Sequence, residues 1–472
     1  MRRNGLAALL VAVSVPLVAS SRRGAEGVPL GLELARSSIR AGQSFAFASQ
    51  LTAMGSRVSG SLSYRRAAEW SADRFRSMGI AKVALEPFTI ERGWERLSAR
   101  ARVVAPVDRP LQVESLGWSP STPDGGLEAE VVALDTFSLT AIATQQALRG
   151  RIVLLPEGEP PGDPDDAAGP ARGLGAALGA AGAIAILVPD SDMDNQLSAR
   201  GFGVGTAIGL LPAGLIGRDA ALALRDLLER GSVRMSLELV NRMTPGAVSV
   251  DNVIADIPGR DRTDEWVIVG AHLDSWDFGP GAQDNATGVA MVLEAARAIA
   301  ALKAAPRRSI RFVLWGGEEQ GQLGSTAYAR AHAAELDRIV AVLNTDAGTG
   351  RVIGWTSPGR TDLVRALRPL TQSVLDELGA AMFDESLRYA FQSDGAPFVL
   401  AGIPMLDLNA DDARYEDIHH KATDTIDRVD AHNLAVGAAV VAATAEALAE
   451  APARLVPRLD RRSVERLRKK RE

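Results

Sequence analysis

The 472-residue chain contains no cysteine. That absence removes thiolate nucleophiles, disulfide bonds and a lipid-modified cysteine anchor together. A chain this long buries enough surface on folding to do without disulfides. Histidine is scarce, five in all, so any metal centre must be built from a few imidazole nitrogens and carboxylate oxygens, with no sulfur. Excess positive charge is missing as well. The formal net charge of −6 indicates no broad basic surface for nucleic acid. Long hydrophobic runs are limited to the amino terminus, where residues 6–19 are apolar, shorter than the roughly 20 residues of a comfortable membrane span. Met1-Arg2-Arg3 before this run and small residues after it read as a secretory signal peptide, residues 1–20, with cleavage near Ser20 or Ser21. The expectation is a protein without a stable membrane span in its mature form, exported to the periplasm or the cell exterior; an uncleaved signal anchor is the alternative. Otherwise the composition, 46% hydrophobic and 23% charged, is ordinary globular usage, and the length suits two or three domains.

Against that background, two of the five histidines stand in informative places. His272 closes the strand-like run at residues 266–271, and His420 lies in Ile-His-His-Lys-Ala-Thr-Asp-Thr. Between them are three carboxylate stations, Asp284, the pair Glu318-Glu319, and Asp346. Each follows an apolar run and is expected just beyond the end of a buried strand. In an open α/β sheet, the crevice outside the carboxyl ends of the strands is where ligands bind.

The residue types suit two metal ions. Zinc takes imidazole nitrogen and carboxylate oxygen, and a catalytic zinc keeps one position open. Two such ions, about 4 Å apart, need one ligand that reaches both, and the two oxygens of Asp284 fit that task. His272 and Asp346 then serve one ion, Glu319 and His420 the other, with a shared water made acidic by both charges. One of the adjacent glutamates is free to act as general base. Alternation along an extended segment would turn Glu318 away from the ligand side, but spacing alone does not assign the two.

At these residues the chain resembles a known family. Gly-Ala-His-Leu-Asp-Ser-Trp-Asp at 270–277, Gly-Ala-Gln-Asp-Asn at 281–285, Leu-Trp-Gly-Gly-Glu-Glu-Gln-Gly at 314–321, Asn-Thr-Asp-Ala-Gly-Thr at 344–349 and His-Lys-Ala-Thr-Asp-Thr at 420–425 are similar to the co-catalytic zinc peptidases of the M28 family. The Ser-Trp-Asp and Asp-Ala-Gly-Thr stretches are most like its carboxypeptidase Q group, also called plasma glutamate carboxypeptidase. The resemblance covers residues 40–450. It implies a zinc-peptidase, phosphorylase/hydrolase-like fold, two zinc ions per chain, Glu318 as base and Glu319 as ligand. It also implies that Asp274 holds the His272 imidazole from behind, as carboxylates commonly do for ligating histidines. Asn285 stands where the carboxypeptidase Q pattern has a second aspartate, a departure that bears on substrate preference rather than on catalysis.

Domain organisation follows the texture of the chain. Residues 36–116 hold a helical pattern at 64–78 and a strand-like run at 82–90, fitting the first part of a peptidase domain. Residues 117–245 are rich in Gly, Ala and Pro, with short β-like runs at 150–155 and 183–188 and an acidic Pro/Gly loop at 156–170. This stretch resembles a β-rich protease-associated domain inserted in such enzymes; a second α/β lobe without substrate contact is the plainer reading. Residues 246–452 resume the peptidase domain, with strands expected at 266–271, 310–315, 339–344 and 403–408 and helices at 286–303 and 432–450. Strands alternating with helices mean a mostly parallel sheet flanked by helices, an α/β class. The basic run in 453–472 is expected to be a solvated tail.

A lone histidine at a strand end is usually structural, and a lone Glu-Glu is usually a solvated turn; only the ordered set of five stations argues for metal. His332, His419 and His432 receive no role. The reading is a secreted two-zinc exopeptidase acting on dipeptides or short peptides with free termini, with peptide substrate as partner and a homodimer as the assembly to test. Two alternatives are a non-catalytic binding or receptor protein on the same fold and a single-zinc, glutaminyl cyclase-like acyl transferase. The first is expected to have lost ligands, and the motifs around the stations disfavour the second.

Overall fold

The computed structural model describes residues 30–471, apart from 144–145, 159–168, 203–204, 303, 388–389 and 412–414. The proposed signal peptide and most of the acidic loop at 156–170 lie outside the described residues. After β1 (Lys82–Ile90) come β2 (Trp94–Ala105), β3 (Arg109–Leu111), β4 (Val113–Ser115), β5 (Leu127–Ala133), β6 (Ile152–Leu154), β7 (Ala185–Pro189), β8 (Ala213–Ile216) and β9 (Arg234–Met243). The chain then adds β10 (Val248–Ile257), β11 (Arg262–His272), β12 (Arg308–Trp315), β13 (Ile339–Asn344), β14 (Val352–Thr356), β15 (Met382–Asp384) and β16 (Met405–Ala410).

Two sheets result, in the orders β1-β10-β12-β11-β13-β16-β14-β15 and β3-β2-β9-β5-β6-β7-β8-β4. In the first, β12, β11, β13 and β16 run parallel at the centre. Their runs, such as Val267-Ile-Val and Ala341-Val-Leu, are buried without alternation, as strands covered on both faces must be. The helices Thr287–Ala300 and Ala431–Glu450 belong to this core. The latter is the one helix among the described residues long and apolar enough to cross a membrane. Here it is a core helix, with Ala438 to Ala442 fully buried, as expected of a helix apolar on most sides. Asp430 caps its start by accepting the Asn433 amide hydrogen, which satisfies one of the free donors of the first turn.

The second sheet is mixed and lies wholly between β1 and β10, which pair with each other antiparallel from Lys82↔Asp256 to Ile90↔Val248. Its sequence boundary differs from the expectation of 117. The second sheet begins at Trp94, because β2 pairs with β9 from Trp94↔Met243 to Ala105↔Arg234. The segment alternates exposed and buried positions, a pattern that suits an antiparallel strand of either sheet, so only its distant partner decides membership. The basic tail also differs from the expected solvated coil. Residues Arg461–Arg471 form a helix, and Val464 and Leu467 are buried, so an apolar stripe docks it while the basic residues face outward.

Candidate metal centre

The carboxyl ends of β11, β12 and β13 open on one crevice, and four of the five stations reach it: His272 as the last residue of β11, Glu318-Glu319 and Asp346 from the residues following β12 and β13, and His420 from the loop after β16. Asp284 is the exception to the strand-end expectation. It sits in the turn that leads into the Thr287–Ala300 helix, preceded by Gly281 at φ +63°. A Cβ on Gly281 would lie 2.4 Å from the Ser275 side chain, so the tight turn requires glycine.

The side chains of Asp284, His272, Asp346, Glu319 and His420 converge. His272 Nε2 lies 3.1 Å from Asp284 Oδ1 and 3.2 Å from Asp346 Oδ1. His420 Nε2 lies 3.2 Å from Asp284 Oδ2 and 2.9 Å from Glu319 Oε2. The two oxygens of Asp284 are thus divided between two imidazole–carboxylate pairs. Ligand atoms bound to zinc at about 2.0–2.2 Å in a tetrahedron stand roughly 3.3–3.6 Å apart, a few tenths of an ångström more than the separations here. Glu319 Oε1 is buried without a hydrogen-bond partner, an orphan a cation would satisfy.

The electrostatics point the same way. Burial works against charge on His272, yet Asp346, Asp274 and Asp284 more than reverse it and hold the imidazole well above its usual range. His420 behaves likewise through Glu319 and Asp284. Burial also opposes ionisation of Asp284, and the two histidines override it, placing its carboxyl well below the ordinary range. Burial, then the Asp284 charge, pushes Glu319 up to about 7. Carboxylates that favour the charged form of one buried and one half-buried imidazole form a donor set short of positive charge. The residues present therefore fit two metal ions.

Asp274 has a wider role than expected. The nearer acceptor for His272 Nδ1 is its backbone carbonyl at 3.2 Å; its carboxylate Oδ1 stands at 3.7 Å. The carboxylate instead accepts the backbone N–H groups of Glu318 and Glu319, and the Ser59 hydroxyl. It pins the turn after β12, where Gly317 has φ +71° and the amides of Gly321 and Gln322 return to the Glu318 carbonyl. Residues 318–319 are therefore a turn rather than the extended segment expected, and the turn, not strand alternation, separates the two side chains. Glu318, itself buried, accepts from Gln322 Nε2 at 3.2 Å, and burial holds its carboxyl well above the usual range.

His420 has φ +58°, a left-handed conformation that costs a non-glycine residue about 1–3 kcal/mol and persists only where the surroundings impose it. The twist brings His419 over as well. The two rings lie 3.7 Å apart and His419 Nε2 is 3.6 Å from Asp284 Oδ2, so His419, which received no role from its sequence, borders the site. His332 lies elsewhere, bound to Glu86 at 2.9 Å, and His432 is exposed in the first turn of its helix. Asn285 is fully buried, donating to the Thr345 carbonyl and accepting the Gly288 amide, a fastening of the helix start.

Several contributors carry no recognisable signal in the sequence. Arg57, fully buried, donates to the carbonyls of Leu273, Pro280 and Gly281. Ser393 donates to Asp346 Oδ2 at 2.7 Å. Asp424 accepts the amides of Gln283 and Asp284 and was visible only as part of the His-Lys-Ala-Thr-Asp-Thr run.

Comparison with known proteins follows the same lines. The family model "Peptidase family M28" matches residues 252–450. Over 388 residues the chain is 30% identical to carboxypeptidase Q of Xenopus laevis, covering 79% of this chain and 78% of that protein. The human carboxypeptidase Q is 29% identical over 394 residues, 82% of this chain and 81% of the relative. Among solved structures, the peptidase M28 precursor from Shewanella amazonensis SB2B is 31% identical, with a TM-score of 0.78 over 91% of this chain and 98% of that one. A zinc aminopeptidase from Bacillus subtilis, at 22% identity and a TM-score of 0.67 over 86% and 94%, shares the fold.

Proposed function

Because the chain belongs to peptidase family M28, we propose that it is an exported exopeptidase that hydrolyses dipeptides or other short peptides with free termini at a pair of zinc ions. The observation that carries this reading is the division of Asp284, one oxygen to His272 and the other to His420. A single-metal acyl transferase would leave the His420–Glu319 pair, with its orphaned Oε1, without purpose.

Zinc bound there would polarise the scissile carbonyl and acidify a water. The chain's own residues do the rest. His272, Asp284 and Asp346 would hold one ion; His420, Glu319 and Asp284 would hold the other. Glu318 accepts a proton from the attacking water and returns it to the nitrogen of the leaving amine, which balances the hydrolysis. Its buried place in a turn fixed by Asp274 keeps it oriented for both transfers. The signal-like amino terminus supports export, and the strand, helix and strand from Ile152 to Pro189 support reading the second lobe as a protease-associated domain.

The test is a screen of dipeptides and blocked peptides on zinc-loaded protein, alongside elemental analysis. About two zinc ions per chain are expected. Hydrogen bonds to charged groups are worth about 1.5–3 kcal/mol, so blocking the recognised terminus is expected to lower kcat/KM on the order of a hundredfold. Rapid internal cleavage of folded proteins, or equal rates on doubly blocked peptides, would refute the exopeptidase assignment even with both ions present.

A further inference from the structure

Immediately after His420, Lys421 has a side chain only 3% exposed. Its Nζ lies 3.1 Å from Asp192 Oδ2 and 3.2 Å from Asp194 Oδ2, and it donates to the Glu416 carbonyl at 2.9 Å. Asp192 and Asp194 belong to the second lobe, in the loop between β7 and β8. That loop is itself braced. Asp190 accepts the amides of Asp192 and Ser198, Asp192 accepts the Ser198 hydroxyl, and Asp194 accepts both the backbone and side-chain amides of Gln196. The alternate aspartates present negative charge to a shared centre, and the Lys421 ammonium fills it.

Backbone contacts run beside this ion pair. The Ala199 amide donates to the His420 carbonyl at 2.8 Å, and the Ser198 hydroxyl reaches the His419 carbonyl at 3.4 Å. A column of rings makes a second connection. Trp94 stacks on Trp118 at 5.9 Å, Trp118 meets Trp276 edge-on at 6.2 Å, and Trp276 meets the His420 ring at 6.1 Å. Both sides of His420, carbonyl and imidazole, are therefore contacted by the second lobe or by a ring packed on it, at a residue whose backbone is left-handed without being glycine.

We propose that Lys421 is a positioning residue and that its ion pairs with Asp192 and Asp194 form a latch by which the second lobe fixes His420 in the left-handed conformation aiming Nε2 at Asp284 and Glu319. The second lobe then contributes to hydrolysis through the geometry and affinity of one metal position, without touching the reacting atoms. The inference rests on the two-zinc reading given above.

The experiment uses the full-length protein and breaks the latch from either side, with Lys421→Met or with Asp192→Asn plus Asp194→Asn; Lys421→Arg retains the charge. Three quantities are read: zinc affinity against a competing chelator, the visible spectrum of the cobalt-substituted protein, and hydrogen exchange at the Ala199 amide in metal-free protein. Losing such an outer support typically weakens metal binding by ten- to a hundredfold. That loss is expected for one of the two ions, with an altered cobalt spectrum, faster Ala199 exchange and recovery in Lys421→Arg. Either neutralised side suffices if the other variant fails to fold. Wild-type affinity, spectrum and exchange in the neutralised proteins would overturn the latch, as would a drop in Tm with all three unchanged. Should the wild-type protein bind no zinc, the two-zinc reading falls, and the Ala199 exchange alone decides the latch.

Discussion

The two halves of the metal centre are built differently. His272 ends β11 and Asp346 follows β13, neighbouring parallel strands whose register pairs Gly270 with Asn344, so the sheet that organises the core also sets their separation. His420 and Glu319 come from turns. Glu319 is held by Asp274 through its amide, and His420 is held from the second lobe through the Ala199 amide. One half exists once the central strands have paired; the other waits for loops and a second lobe to dock.

The largest expected effect tests whether the halves are joined at all. Asp284→Ala removes the one carboxylate they share, and both ions should be lost, with kcat falling below detection; metal analysis of the purified variant checks this. Retention of two ions would mean that the halves are independent. Glu318→Gln should spare both halves and still lower kcat about a hundredfold or more, the usual scale for a general base. Steady-state kinetics with metal analysis distinguishes it from Glu319→Gln, which should weaken zinc binding. Equal zinc loss in the two variants would reverse the assignment of the pair.

Stepwise chelation sharpens the comparison further. The ion at His420 and Glu319 should leave first, with an affinity lower by roughly tenfold, about 1.4 kcal/mol. Glu319→Gln should then lack only the weaker phase of zinc release; loss of the tighter phase would invert the order of the halves. The smallest effect is expected far from both. Ending the chain at Asp460 removes the burial of Val464 and Leu467, worth about 1.5–3 kcal/mol per fully buried side chain at most. Tm should fall by a few degrees with kcat unchanged, as a thermal melt and an activity assay would show.

The same contrast governs what could be read in advance. The central strands announce themselves as unbroken apolar runs, and the residues at or just past their ends, His272, Glu318, Glu319 and Asp346, inherit their places from that pattern. His420 was legible by residue type and motif, but its φ of +58° was not, since local sequence does not state which contacts will impose an unfavourable backbone. Nor could the pairing of β2 with β9 be foreseen, because an alternating segment accepts many partners. Lys421 stood in the sequence only as part of the His-Lys-Ala-Thr-Asp-Thr run, and nothing local pairs it with Asp192 and Asp194, which lie far away in the chain. Docking of Val464 and Leu467 was likewise hidden by the surrounding positive charge, which made the whole segment look solvated.

Arg57 carries a consequence for the chain before any metal arrives. Burial pushes its guanidinium down to about 10, against the pull of Asp424, Asp274, Asp284 and Glu319, so it remains charged at neutral pH. It serves as a resident counter-ion, offsetting part of the repulsion among carboxylates that would otherwise wait for zinc to be relieved. By tying the carbonyls of Leu273, Pro280 and Gly281, it also keeps the loop ahead of Asp284 in its final shape. The metal-free chain is therefore expected to present a ready-made socket, one that an incoming ion fills instead of folding.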